Sequence, residues 1–263
     1  MILIADSGST KTDWSGGYTT QGINPFHQSE DEIRSVLRDE LLPQLDASEV
    51  TAVYFYGSGV RPEKEAVMCE LLREVFPHAK VIEAHSDLLG AARALCGHNE
   101  GIACILGTGA NSCLYDGEKI VQNTPALGYI LGDEGSGAAL GKHFLHDLYS
   151  GILPQEMIPL FEKETGLTLS EVIQRVYREP LANRFLASLS KFIHQHIDEP
   201  GLQRLVVENF EAFFRVHILP YNRPDLPVSF VGSIAWFYQD QLRTAAETFG
   251  LTLGTVFRSP LSK

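Results

Sequence analysis

No run of about 18 apolar residues occurs anywhere in the sequence, so none of it reads as a membrane span. The N-terminus lacks a basic stretch followed by a long apolar core, and Asp6 interrupts its opening apolar run; no signal peptide is expected, and the cytoplasm is the expected location. Basic charge is scarce: 21 lysines and arginines face 33 acids, for a formal net charge of -12. Such a surface repels phosphate backbones and excludes nucleic acid as a partner class. The 4 cysteines, Cys69, Cys96, Cys104 and Cys113, form no C-x-x-C pair and lie in apolar or helical contexts, as reduced thiols do. The 9 histidines show no ligand spacing. His194 and His196 stand two apart on a helical stretch, share no helix face, and read as surface residues. Low-complexity segments are absent.

What remains is an ordinary globular composition, 44% hydrophobic and 21% charged, in 263 residues, enough for one large domain or two small ones. Strand-like segments are "MILIA", "TAVYFYG", "KVIEA", "GIACIL", "SCLYD", "EKIVQ", "PVSFVG" and "LGTVF". Between them, Ser29 and Glu32 form a capping-box pattern ahead of Ile33, Val36, Leu37 and Leu41, with Pro43 as the stop. Residues 62–75 and 87–96 read as further helices. The stretch 135–214 is mostly helical, broken at Gly151–Pro154, Gly166, Pro180 and Pro200. Alternation of strands and helices makes the class α/β.

Two stretches echo each other. "LIADSGSTKTDW" and "CILGTGANSCLYDG" are each a strand, a turn of small residues and a second strand, as in two related halves. Glycines in such turns let backbone amides approach an anion, hydroxyls add donors, and Lys11 adds a positive charge. The glycine spacing is not that of the G-x-x-x-x-G-K-[ST] phosphate loop. Ordinary hairpins also need glycine, so both readings stand on the residues alone.

In "VIEAHSDLLGAARAL", Ser86 can cap a helix with Asp87 on its first turn. An acid there is favoured by the helix dipole, which is capping electrostatics; the same dipole holds it ionised, which a general base needs. A strand end is also where α/β sheets line ligand crevices. In "LGYILGDEGSGAALGKHFL", Asp133 and Glu134 precede a glycine-rich helix start whose spacing, G-x-G-x-x-x-G, is one residue too long for a dinucleotide fingerprint. Such glycines commonly serve close packing, and such acids can accept hydrogen bonds from vicinal hydroxyls.

Taken in order, these segments resemble the N-acetylglucosamine kinase group, with the BadF/BadG-type ATPases, of the acetate kinase/hexokinase/actin/heat-shock-chaperone superfamily. "DSGSTKTDW" resembles the first phosphate loop, "GINP" a sugar-contact turn, "YFYGSGV" a strand and turn at the cleft and "HSDLLGAARAL" the catalytic-acid segment. "GIACILGTGANS" resembles the second phosphate loop, "GYILGDEGSG" a sugar-binding segment and "SFVGSIA" the adenosine loop. The resemblance implies two ribonuclease-H-like domains with an interdomain cleft. They would span 1–100, with the first phosphate loop and the base, and 101–263, with a helical insertion and the second phosphate and adenosine loops. The join is expected near Asn99–Gly101. It further implies ATP and Mg²⁺, with Asp6 on the metal side. Gly8, Ser9, Thr10 and Lys11, then Gly107, Thr108 and Gly109, would lie at the phosphates, and Gly232 and Ser233 at the adenosine. Asn24, Ser58, Asn111 and Asp133 would lie at the sugar, and Asp87 would be the base.

Two departures accompany the resemblance. Relatives continue the strand after "KTDW" into a hairpin, whereas "SGGYTTQ" reaches "GINP" almost at once; and the sequence ends at "SPLSK", where relatives run on into a closing helix. The activity implied is ATP-dependent phosphorylation of the 6-hydroxyl of N-acetylglucosamine or N-acetylmuramic acid. The expected partners are that amino sugar and ATP, with room for a homodimer and with no nucleic acid or membrane. Rival classes are an ATP-hydrolysing activator of the BadF type, which carries a cysteine-held iron–sulfur cluster, and a non-catalytic sugar or nucleotide sensor. Cys104 and Cys113 flank the second phosphate loop but read as residues packed inside strands.

Overall fold

A computed structural model describes residues 1–8 and 10–261. Contacts divide the chain into two units, Met1–Ala94 with the residues from Pro260 onward, and Leu95–Ser259.

The first unit is built on β1 (Ile2–Ser7), β2 (Lys11–Trp14), β3 (Tyr18–Gln21), β4 (Ala52–Gly57) and β5 (Val81–Ser86), in the order β3-β2-β1-β4-β5. β1 runs parallel to β4 and β4 to β5, while β2 and β3 fold back antiparallel. Period-two patterning explains β1: Leu3 and Ala5 are fully buried while Ile2 is exposed. Ser29 and Glu32 complete the capping box of α1 (Glu30–Ser35), which runs on through a π-helical turn, Val36–Leu41, before Pro43. α2 (Pro62–Val75) starts with proline, whose missing N–H is not needed there, and buries Met68, Leu71 and Leu72. α3 (Asp87–Cys96) follows β5 directly, and the division between units falls inside it.

One expectation is corrected. "SGGYTTQ" does complete a hairpin, because the turn at Ser15–Gly17 is tight enough for Tyr18–Gln21 to pair with β2 in full register. The buried Trp14 indole donates to the Thr20 hydroxyl (3.2 Å) and its ring lies 5.9 Å from Phe55, so this short strand is anchored in the core.

In the second unit, β6 (Gly101–Leu106), β7 (Ala110–Tyr115), β8 (Ile120–Gln122), β9 (Val228–Val231) and β10 (Leu253–Phe257) form a sheet ordered β10-β9-β6-β7-β8. Renumbered from its own first strand, this is the order and the parallel and antiparallel pattern of the first sheet. The two-halves reading therefore holds at the level of topology. Between β8 and β9 lie α4 (Gly128–Leu131), α5 (Gly137–Tyr149), α6 (Met157–Thr165), α7 (Leu169–Tyr177), α8 (Ala182–Ser188), α9 (Ser190–Gln195) and α10 (Pro200–Phe213). Their core centres on Phe144, Phe161 and Phe192, with ring centroids 5.2 to 5.6 Å apart. α10 continues as a π-helical turn, Phe214–Ile218. α11 (Ser233–Phe237) and α12 (Gln239–Thr248) connect β9 to β10. Among the described residues no helix is long and apolar enough to cross a membrane.

Candidate active site

In the first unit the parallel strands end in register. Ser7 pairs with Gly57 and Gly57 with Ser86, so the residues that follow, Gly8, Ser58 and Asp87, emerge side by side at one sheet edge. Asn24 is brought to the same edge by the buried Ser7 hydroxyl, which bonds both the N–H (3.0 Å) and the carbonyl (2.9 Å) of Ile23. The Asn24 Oδ1 accepts from the Phe26 N–H at 3.0 Å. Ser58 donates its N–H to the Ser7 carbonyl (2.9 Å), while its buried hydroxyl oxygen has no partner.

Asp6 stands opposite Asp13 across the β1–β2 pair. Burial, then the charges of Asp87 and Asp13, push the Asp6 carboxyl up to about 7 against the pull of Lys11. Lys11 itself is exposed and ion-paired to Asp13 at 2.8 Å. Asp87 heads α3, with Ser86 Oγ accepting from the Leu89 N–H (3.3 Å) and Asp87 Oδ1 from the Leu88 N–H (2.8 Å). Ser86 and Asp87 thus each take one N–H of the first helical turn. Burial pushes the Asp87 carboxyl up to about 6, against the helix N–H bonds that lower it. A half-buried carboxylate near neutrality is what a general base uses, because it is ionised yet still basic.

The second unit carries the remaining candidates. Gly107 and Thr108 are tied to the start of α5: the Gly107 carbonyl accepts from the Gly137 N–H (2.8 Å) and the Thr108 carbonyl from the Ala138 N–H (3.1 Å). The Gly107 N–H closes the turn on the Gly109 carbonyl at 3.0 Å. Asn111 Oδ1 accepts from the Ser112 N–H and the Asn123 Nδ2, each at 3.0 Å. Asp133 is buried in the left-handed backbone region, with φ of 59°. Burial raises its carboxyl, opposed by hydrogen bonds from the Ala110 and Gly128 N–H groups and by His217. The same bonds seat Asp133 beside the Gly107–Asn111 loop. Gly232, with φ of 123°, passes so close over β6 that a Cβ would lie 2.3 Å from the Leu106 carbonyl oxygen, so only glycine fits. Ser233 follows it as the first residue of α11.

Thus Asp6, Gly8, Asn24, Ser58 and Asp87 share one edge of the first unit, with Thr10 in the β1–β2 turn and Lys11 opening β2. Gly107, Thr108, Gly109, Asn111 and Asp133 share one neighbourhood in the second, with Gly232 and Ser233 at the adjacent end of β9. Ser9 lies outside the described residues. Cys104 and Cys113 are fully buried in β6 and β7, and burial pushes the Cys104 thiol well up and the Cys113 thiol up to about 12. Neither is presented as a thiolate ligand. Among the described residues no group of three or more His, Cys, Asp and Glu is placed to hold a metal by itself. The sequence reading passed over Asn209, Phe213 and His217, which grip the Asp133–Ser136 loop; their spacing of four along one helix face was the available signal.

Two sheets of this one order, each with a small-residue turn between its first two strands, make two ribonuclease-H-like domains. No family model matches the sequence, and no curated protein matches it. Solved structures do. The chain is 51% identical, over 99% of its own length and 96% of the other, to a candidate N-acetylglucosamine kinase from Porphyromonas gingivalis, with a TM-score of 0.96. A candidate N-acetylglucosamine kinase from Chromobacterium violaceum shares the fold at 18% identity and a TM-score of 0.66, covering 96% of this chain and 94% of that one. So does a ROK family glucokinase from Streptomyces griseus, solved with glucose and AMPPNP, at 15% identity and a TM-score of 0.57, covering 98% and 95%. The chain belongs to the N-acetylglucosamine kinase-like family of sugar kinases.

Proposed function

We propose that this protein transfers the γ-phosphoryl group of ATP to the 6-hydroxyl of N-acetylglucosamine or N-acetylmuramic acid. The observation that carries the reading is Asp87, a half-buried carboxyl raised to about 6 beside the unpartnered Ser58 hydroxyl. Asp87 takes the acceptor's proton as its oxygen attacks. Ser58, Asn24, Asn111 and Asp133 hold the sugar, and the Ser58 hydroxyl gains from it the partner it lacks. The phosphates lie at Gly8, Ser9, Thr10 and Lys11 and at Gly107, Thr108 and Gly109, and the adenosine lies at Gly232 and Ser233. Phosphoryl transfer asks mainly for positioning and charge stabilisation, which such loops supply.

The residues fit a magnesium ion in one respect. Asp6, Asp13 and Asp87 gather negative charge at one edge, which adds to burial in pushing the Asp6 carboxyl up to about 7, and a divalent cation relieves such crowding. Mg²⁺ keeps several waters and is commonly held by one or two carboxylates with substrate phosphates, so Asp6 suffices as its protein ligand. When bound, the ion neutralises charge at the phosphates.

A coupled ADP-release assay over glucose, glucosamine, N-acetylglucosamine and N-acetylmuramic acid tests the reading. Release that depends on an N-acetylated hexosamine, with a 6-phosphate product by phosphorus NMR, is expected. Equal release with and without every sugar overturns it.

A further inference from the structure

We propose that His217 is a positioning residue for the acceptor sugar, holding the Asp133 loop and the Asn111 strand end in one arrangement; this rests on the sugar-kinase reading above. Asn209, Phe213 and His217 recur every four residues along α10 and its π-helical turn, so they form one stripe. Each grips the loop just after Asp133. Asn209 accepts from the Gly135 N–H at 3.3 Å and donates to the Ser136 carbonyl at 3.4 Å. Phe213 packs so closely on Gly135 that a Cβ there would lie 2.7 Å from the Phe213 Cβ. His217 Nε2 lies 3.0 Å from Glu134 Oε2. Three consecutive residues after Asp133 are thereby fixed from one helix face, which is what a non-glycine residue in the left-handed region requires to stay there.

The other end of His217 acts on Asn111. A π-helical turn widens the helix and changes where its carbonyls point. The His217 carbonyl accepts from the Ser112 hydroxyl (3.4 Å) and the Thr124 hydroxyl (3.2 Å). Ser112 adjoins Asn111, and Thr124 adjoins Asn123, whose Nδ2 bonds Asn111 Oδ1 at 3.0 Å and the Ser112 carbonyl at 2.6 Å. One residue thus ties both candidate sugar contacts of the second unit, through its ring and through its backbone.

The imidazole is an expensive way to fill this space. His217 is 1% exposed and stacked on Phe213 at 5.1 Å, yet its Nδ1 is buried without a partner. Phenylalanine would occupy the same stack without an orphaned polar atom. What phenylalanine lacks is the Nε2 bond to Glu134, so that bond is the feature to test.

Sugar and ATP kinetics on the full chain decide the matter. His217→Phe is expected to raise sugar KM about tenfold, with kcat within about threefold and ATP KM unchanged, as loss of ground-state positioning does. His217→Gln, which restores an N–H near the Nε2 position, is expected to recover part of that loss. Glu134→Leu removes the same bond from the other side and should match His217→Phe; the double variant should be no worse than either, because the two share one interaction. If His217→Phe fails to fold, Glu134→Leu alone decides. A wild-type sugar KM in the folded variants, with sugar-dependent ADP release in the wild type, overturns this inference alone. A wild type whose ADP release ignores every sugar overturns the sugar-kinase reading and this inference with it.

Discussion

The two sheets share a strand order and differ in what they carry at their ends. The first presents acids: Asp6, Asp13 and Asp87, two of them with carboxyls pushed up to about 7 and about 6. The second presents backbone loops and amides around Asp133, which receives two backbone N–H groups, and Glu134, which His217 holds at 3.0 Å. In the first unit burial outweighs the Lys11 and Leu88 N–H contacts at the acids, and in the second backbone N–H groups and His217 meet them. The same scaffold therefore supports two kinds of site, decided by the few residues that follow each strand rather than by the strands themselves.

The sharpest way to break this contrast is Asp87→Asn. If the first unit supplies the base, kcat falls by roughly 10²–10⁴ while sugar KM moves little, since the amide still reaches the acceptor hydroxyl. If Asp87 merely stabilises its helix, activity stays within about threefold, under 1 kcal/mol of barrier. The wild-type kcat/KM should also fall as pH drops through about 6, where the Asp87 carboxylate takes up a proton.

Next in size is a pair of glycine variants. Gly232→Ala forces a Cβ against the Leu106 carbonyl and should cost about 2–4 kcal/mol of stability in chemical unfolding. Gly8→Ala, whose nearest neighbour would be 3.7 Å away, should cost under about 1 kcal/mol. Equal losses would show that the two loops do not differ in backbone constraint.

Asp133→Asn comes third. On the proposed role in sugar binding it should raise sugar KM about tenfold and lower kcat less, because a hydrogen bond to a charged group is worth about 1.5–3 kcal/mol. A fall in kcat with unchanged KM would instead move the base to the second unit.

The smallest effect concerns stability against pH. The Asp6 carboxyl titrates near 7 in the fold and near its ordinary 3.8 when unfolded, so between those values the native state holds the extra proton. Stability then decreases as pH rises from about 4 to about 7 and stays low above that. Asp6→Asn should reduce the slope, leaving the part that the raised Asp87 carboxyl contributes, and raise stability at pH 8 by on the order of 1–2 kcal/mol, read from urea midpoints at pH 5.5 and 8. A steeper slope in the variant would contradict the crowding of charge at the first edge.

The sequence disclosed most of this architecture where punctuation was explicit. Pro62 marks the first residue of α2, Ser86 the cap before α3, and Gly166 and Pro200 separate helices in the second unit. The β3 strand was hidden because four residues after a Gly-Gly turn are too few to show a period. The two π-helical turns were hidden because their apolar residues keep the i, i+4 spacing of an α-helix. At the candidate site, Asp6, Asp87 and the glycine turns stand out as candidates from local pattern. His217 does not: its partner Glu134 lies far away in sequence, and "RVHIL" alone reads as one more buried turn. The Ser58 hydroxyl's lack of a partner is likewise a fact of packing that spacing does not encode.

The matched strand order also bears on how each half assembles. In the first unit the central parallel pair joins Ile2 to Ala52, while in the second it joins Ile102 to Val228 across the whole helical insertion. Closing a loop about two and a half times longer adds only about 0.8 kcal/mol of chain entropy, so the insertion burdens the equilibrium little. It burdens the search far more, because non-local strand pairing slows folding steeply. The amides of β1 and β4 should then gain protection in pulsed hydrogen exchange before those of β9. During refolding the half that carries the acids would stand complete while the other still awaits its fourth strand.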